Sequence, residues 1–186
     1  EMELTQYVHP NIGTVHSRWF FYTPAAVPFR KWLNLGGLLL MVHMVMNRDG
    51  KLLDMMKPHT SIDGFPCMHE FQIGGILLMP TVGTVKNIPG KLETPDEGYR
   101  SRFDKKDEYA TPGYYSVLLK DYQVKVELTA TERVGFQRYT FPKSDSSHVI
   151  MDIGNRLGES GNVRDAYIKQ VDESTIEGYV EQNRNM

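Results

Sequence analysis

The stretch "VKVELTATE", Val124 to Glu132, sets Val124, Val126, Leu128 and Ala130 against Lys125, Glu127, Thr129 and Thr131 with a period of two. Such a period fits a strand with one buried and one solvated face, because successive side chains of an extended backbone point to opposite sides. Its neighbours carry related signals. "YYSVLL" (Tyr114 to Leu119) precedes it across the turn-like Lys120-Asp121-Tyr122, "VGFQRYTF" (Val134 to Phe141) closes at Pro142, and "HVIMDI" (His148 to Ile153) closes at Gly154. "VRDAYIKQ" (Val163 to Gln170) and "TIEGYVEQ" (Thr175 to Gln182) repeat the theme. Short runs in this order, with no helical period between them, predict an all-β chain folded as an antiparallel β-sandwich.

Composition agrees where it speaks. Sixteen Gly, ten Pro and ten Tyr favour strands joined by turns. A formal charge of −2 without a Lys/Arg stripe argues against a nucleic-acid partner. The lone Cys67 excludes an intramolecular disulfide framework and a cysteine zinc site, and is read as a packing residue. No dinucleotide fingerprint, phosphate loop or zinc-protease helix motif is present. A chain of 186 residues holds one domain with a sizeable core or part of a larger one. The segment "LETPDEGYRSRFDKKDEYATPG" (Leu92 to Gly113) reads as a charged surface loop whose carboxylates are solvated.

One stretch is foreign to this pattern. "LGGLLLMVHMVMNRDG" (Leu35 to Gly50) begins a region with five of the ten methionines between Met41 and Met56. Its apolar run, Leu35 to Met46, contains His43 and is too short for a membrane span, which needs about 20 apolar residues. It lies too far into the chain, with no small-residue cleavage site after it, for a secretory leader. On its own it reads as a buried helix or strand.

Five motifs in order resemble one family: "YVHPNIGT" (Tyr7 to Thr14), "AAVPF" (Ala25 to Phe29), "ILLMPTVG" (Ile76 to Gly83), "TPGYYSVLL" (Thr111 to Leu119) and "VKVELTATERVGFQRYTFP" (Val124 to Pro142). Together they resemble the N-terminal domain of glycoside hydrolase family 92, the calcium-dependent α-mannosidases, over nearly all of the chain except residues 30–58. The resemblance implies an N-terminal β-sandwich packed on a C-terminal (α/α)6 barrel in an exported, exo-acting enzyme that inverts the anomeric carbon. Both catalytic carboxylates of the family belong to the barrel, so this chain is expected to be an incomplete sandwich, 1–186, with no catalytic residue of its own. It would supply one wall of the pocket for α-mannoside glycans. The chain stops soon after a strand-like run, and one sheet is expected to show an exposed apolar face.

The resemblance also implies site residues. His9-Pro10-Asn11-Ile12-Gly13-Thr14 takes the place of the segment that approaches the calcium and the terminal mannose, with His9 for the usual Asn and Asn11 for the usual Phe. A backbone carbonyl serves as a hard-cation ligand whatever its side chain, so a metal role at His9 survives the change. "GFPCMHEFQIGG" (Gly64 to Gly75) matches a Gly-Phe-x-x-x-His segment, which places His69, beside Glu70, at the sugar. His9, Asn11, His69 and Glu70 are thus the expected substrate-binding residues, with calcium held mainly by the barrel. Gln137 stands where relatives often have His and carries no assigned chemistry. A stand-alone carbohydrate-binding sandwich, which needs an exposed aromatic platform, and a purely structural or interaction domain are the competing readings.

The family pattern holds to Phe29 and resumes at His59, with length kept and content lost between them. Met has one codon, ATG. In the frame one base back, every Met becomes a codon ending in AT, for Asn, Asp, His or Tyr, followed by a codon beginning with G. With permitted codons for Met41 to Pro58 and a preceding A, that frame reads "NGSYGNEQGWKAVGYDET" and runs directly into "HTSIDGF". This is the polar, Gly- and aromatic-rich composition of a sugar-binding loop. Residues 30–58 are therefore read as the product of a reading-frame slip. The Trp that would stack on a pyranose is lost, and Trp32 does not replace it.

Overall fold

The computed structural model describes residues 23–25, 40–42, 60–66, 76–131, 134–154 and 161–183, the first two stretches by backbone alone. Among the described residues thirteen strands run in chain order: β1 (Thr23–Ala25), β2 (Leu40–Val42), β3 (Ser61–Ile62), β4 (Phe65–Pro66), β5 (Leu77–Val82), β6 (Ser101–Arg102), β7 (Tyr109–Thr111), β8 (Tyr114–Leu119), β9 (Val124–Ala130), β10 (Gly135–Thr140), β11 (Ser147–Asp152), β12 (Val163–Gln170) and β13 (Ile176–Gln182). Among the described residues, helix is confined to two single 3-10 turns, Pro95–Glu97 and Lys105–Asp107. Every ladder is antiparallel, as the alternation predicts. The six predicted strands are all present, and β8 and β12 keep their predicted bounds.

The largest sheet has the order β10-β9-β8-β7. Local chemistry fixes its turns. Thr111 pairs Tyr114 across Pro112-Gly113, and Gly113 adopts φ 81°, the left-handed conformation that the third position of a Pro-Gly turn requires. Between β8 and β9, Gln123 takes φ 54° and its side-chain amide donates to the Lys120 carbonyl at 2.7 Å, a local bond that offsets the strain of a non-glycine residue there. A second sheet has the order β11-β5-β4. Pro80 is tolerated in β5 because β4 pairs only at Leu77 and Leu78, leaving no ladder bond on that side for Pro80 to donate.

The core lies between these layers. From β8 come Tyr115, Val117 and Leu119, and from β9 come Val124, Val126, Leu128 and Ala130. They meet Ile62 of β3, Phe65 of β4, Met79 of β5, and Tyr99 and Phe103 of the segment around β6. The apolar positions of "VKVELTATE" thus face inward, while Lys125 and Thr129 are exposed.

The charged segment 92–113 departs from the expected surface loop. Tyr99, Arg100, Ser101 and Phe103 are buried, and the Glu108 side chain is 2% exposed, accepting a bond from Tyr115 Oη at 2.8 Å and pairing with Lys105 at 2.7 Å. The segment is anchored rather than free: Tyr99 N donates to Ile88 O, Arg100 N to Pro89 O, and Tyr122 Oη to Tyr99 O. Gly98 sits so close to the Pro89-Gly90 backbone that a Cβ there would collide with main-chain atoms. Two aromatics four residues apart, Tyr99 and Phe103, outweigh the surrounding charges, since burying each stabilises far more than a solvated carboxylate contributes.

Large apolar side chains are exposed on two separate sheets. β11 displays Val149 and Met151, and the β12–β13 hairpin displays Tyr167, Val171, Ile176 and Tyr179. The tyrosines are cross-strand partners with ring centroids 5.9 Å apart. Within the foreign segment 30–58, Leu40–Val42 pairs with Thr23–Ala25; the rest of it lies outside the described residues.

Candidate functional site

His9, Asn11, His69 and Glu70, and with them Cys67, lie outside the described residues. What is described is the frame on either side of two of them. Residues 67–75 connect β4 to β5, whose ends pair as Pro66 with Leu77 and Phe65 with Leu78. Gln137, on β10, reaches the same place: its amide donates to the Phe65 carbonyl at 3.4 Å and its oxygen accepts from Tyr139 Oη. Gly64, φ 154°, packs against Leu77 so closely that a Cβ would lie 2.5 Å from Leu77 Cγ.

Behind this frame is a buried polar cluster. Arg100, 4% exposed, donates from Nε to Ser61 Oγ at 2.9 Å and from Nη1 to Gly90 O at 3.2 Å. Its Nη2 and Asp63 Oδ1, both buried, have no hydrogen-bond partner among the described residues. Arg100 ties the 88–100 segment to β3, a structural task that gives the Ser-Ile-Asp stretch its fixed place.

Among the described residues no group of three or more His, Cys, Asp or Glu side chains converges to hold a metal. A calcium cage needs six to eight oxygens. The described residues do not fit one, and the His9 position lies outside them.

The second ordered constellation is on the outer face of the four-stranded sheet. Cross-strand register sets Tyr109, Ser116, Glu127 and Arg138 in one row, and Thr111, Tyr114, Thr129 and Phe136 in the next. Arg138 holds Glu127 with two bonds, Nε to Oε2 and Nη2 to Oε1, both 2.8 Å, and Tyr114 Oη donates to Oε1 at 2.7 Å. Lys125 Nζ stands 3.5 Å from the same carboxylate. These donors, Arg138 first and Tyr114 second, lower the Glu127 pKa from 4.5 to about 2. The Tyr114 phenol is raised in turn, chiefly by its bond to Glu127. Tyr109 and Phe136, at 58% and 56% exposure, flank the network, and the Tyr109 and Tyr114 rings lie 6.2 Å apart. The alternation in β9 placed Glu127 on the solvated face, but its pairing with Arg138 depends on register, which periodicity alone does not supply.

Because Glu127 is held below its ordinary range, it stabilises the fold fully above pH 4.5, and that contribution fades as pH falls from 4.5 to about 2. Thermal melts of wild type and Glu127→Gln are expected to differ at neutral pH, with wild type the more stable, and to converge toward pH 2. A constant gap between the two curves across that range would contradict this account of the network.

The comparisons accord with this architecture. The glycosyl hydrolase family 92 N-terminal domain matches residues 7–186. No curated protein matches the chain. Among solved structures, the chain is similar to the family GH92 α-mannosidase BT3965 of Bacteroides thetaiotaomicron at 32% identity and a TM-score of 0.81, covering 96% of this chain and 24% of that one. The same enzyme in complex with mannoimidazole gives 31% identity and a TM-score of 0.77, over 96% of this chain and 23% of that one. The inverting family GH92 mannosidase BT2199 of the same organism, at 21% identity, a TM-score of 0.68 and 97% and 23% coverage, shares the fold. The chain thus spans about a quarter of the length of the relatives it resembles. With a match running from Tyr7 to the last residue and the same sheet architecture, this chain belongs to glycoside hydrolase family 92, as its N-terminal domain.

Proposed function

We propose that the chain is the N-terminal portion of an exo-acting, inverting, calcium-dependent α-mannosidase, and that it forms one wall of the sugar pocket without contributing the catalytic acid or base. The observation that carries this reading is the family match over residues 7–186, together with a solved α-mannosidase 32% identical across 96% of the chain. The solved relative was obtained with mannoimidazole, which makes an α-mannoside the substrate class to test. In this reading His9, Asn11, His69 and Glu70 face the terminal sugar, and a C-terminal (α/α)6 domain supplies both carboxylates, about 6.5–9.5 Å apart, with room between them for water. Calcium is bound mainly by that domain. The protein acts outside the cytoplasm, where its glycans are found.

The test is hydrolysis of an aryl α-mannoside with calcium present, by the chain alone and by the chain joined to a family C-terminal domain. The expected result is no turnover by the chain alone, and turnover by the joined protein that a chelator abolishes. Hydrolysis by the isolated chain, or turnover of a β-mannoside in place of the α-anomer by the joined protein, would overturn the reading.

A further inference from the structure

We propose that the outer face of the β7–β10 sheet is a second glycan-binding surface, on which an α-mannan chain lies outside the catalytic pocket. The choice of mannan rests on the α-mannosidase reading; the platform rests on the residues of the face.

Three properties point to a sugar chain. First, exposed rings stand at both sides of the sheet. Tyr109 and Tyr114 lie on β7 and β8, Phe136 lies on β10, and Tyr114 and Phe136 share one row. They are two strand spacings apart, about 9.6 Å. The exposed Phe136 on one side, and the exposed Tyr109 with the half-buried Tyr114 against it on the other, offer apolar faces to an extended ligand, and the C–H face of a pyranose is such a partner.

Second, the polar group between the rings is fixed in advance. Arg138 carries five N–H donors in a rigid fork, of which two are engaged by Glu127. Among the described residues no other acceptor takes a hydrogen bond from it, and its side chain is 74% exposed. The guanidinium is therefore held with its remaining donors turned outward, so little rotamer freedom is lost when a ligand arrives.

Third, the charge pattern selects the ligand. Among the described residues of the face the one carboxylate, Glu127, is covered by Arg138 and Tyr114 with Lys125 beside it, so those residues present no unpaired anion. What remains is a surplus of N–H donors, the exposed hydroxyls of Thr129 and Thr140 and the half-buried one of Thr111. A neutral chain rich in hydroxyl acceptors complements that surface. A basic peptide does not, since its cations would meet Arg138 and Lys125.

The experiment is affinity electrophoresis of the 186-residue chain through gels containing yeast α-mannan, xylan or no polymer, with Phe136→Ala and Arg138→Gln alongside wild type. Both substitutions are at the surface, and circular dichroism confirms that each variant stays folded. Mannan is expected to retard wild type selectively, and each substitution is expected to weaken binding by about tenfold or more, as loss of an aromatic or arginine anchor does. Replacing residues 41–58 by the alternative-frame peptide is expected to leave this retardation in place, because every residue named for the face lies on β7 to β10. Absence of retardation by mannan, unchanged retardation of both variants, or retardation by xylan in place of mannan overturns the proposal. Hydrolysis of an aryl α-mannoside by the joined protein is independent of Phe136 and Arg138, so a failed platform and a failed mannosidase assignment give different results.

Discussion

Replacing residues 41–58 by "NGSYGNEQGWKAVGYDET", in a protein that also carries a family C-terminal domain, is expected to raise kcat/KM for an α-mannoside by about a hundredfold or more. The peptide returns a Trp able to stack on a pyranose and a polar loop able to bond its hydroxyls. Two or three added hydrogen bonds at about 1 kcal/mol net each, together with the stacking, make a few kcal/mol. The motivation is the code itself: each Met in the foreign segment becomes Asn, Asp, His or Tyr followed by a codon beginning with G, and the translated peptide joins "HTSIDGF" without a gap. The comparison is calcium-supplemented hydrolysis by the two joined proteins, with chelator as the control. Equal rates would end the frame-slip account of this loop.

Phe65→Ala is expected to destabilise the fold by about 3–5 kcal/mol, against a total that for a domain is of order 5–15 kcal/mol. Phe65 is fully buried and sits where β4 meets the inner faces of β8 and β9. Its removal leaves a cavity between two sheets that cannot close without breaking the β4–β5 ladder, and it lies two residues before Cys67 at the start of the connection that carries His69. Urea unfolding followed by circular dichroism measures the loss. Phe136→Ala, at an exposed position of the same residue type, is expected to change stability by no more than about 0.5 kcal/mol. Similar losses at both positions would contradict the assignment of the core.

Much of the fold was legible because period-two patterning is a local property. "VKVELTATE" states which face is buried, and Lys120-Asp121-Tyr122 marks the turn that joins it to "YYSVLL". The 92–113 segment was misread because its charges outnumber its anchors. Tyr99 and Phe103 are buried by partners on β8, β9 and β5, which no window around them contains. The outer network was hidden for a related reason: Glu127 and Arg138 are eleven residues apart, and only the β9–β10 register brings them together. The expected sugar contacts at His9, Asn11, His69 and Glu70 came from family resemblance, since a lone His or Asn carries no periodic signal, and they lie outside the described residues.

The account is tested most directly by a crystal structure of the frame-restored chain joined to a family C-terminal domain, with mannoimidazole and calcium bound. It predicts that His9–Thr14 and His69 line the sugar on one side, and that two carboxylates of the other domain flank the anomeric carbon about 6.5–9.5 Å apart. A bound sugar touched by no residue of this chain, or a catalytic carboxylate supplied from within it, would contradict the claim that this domain is a wall of the pocket and not its chemistry.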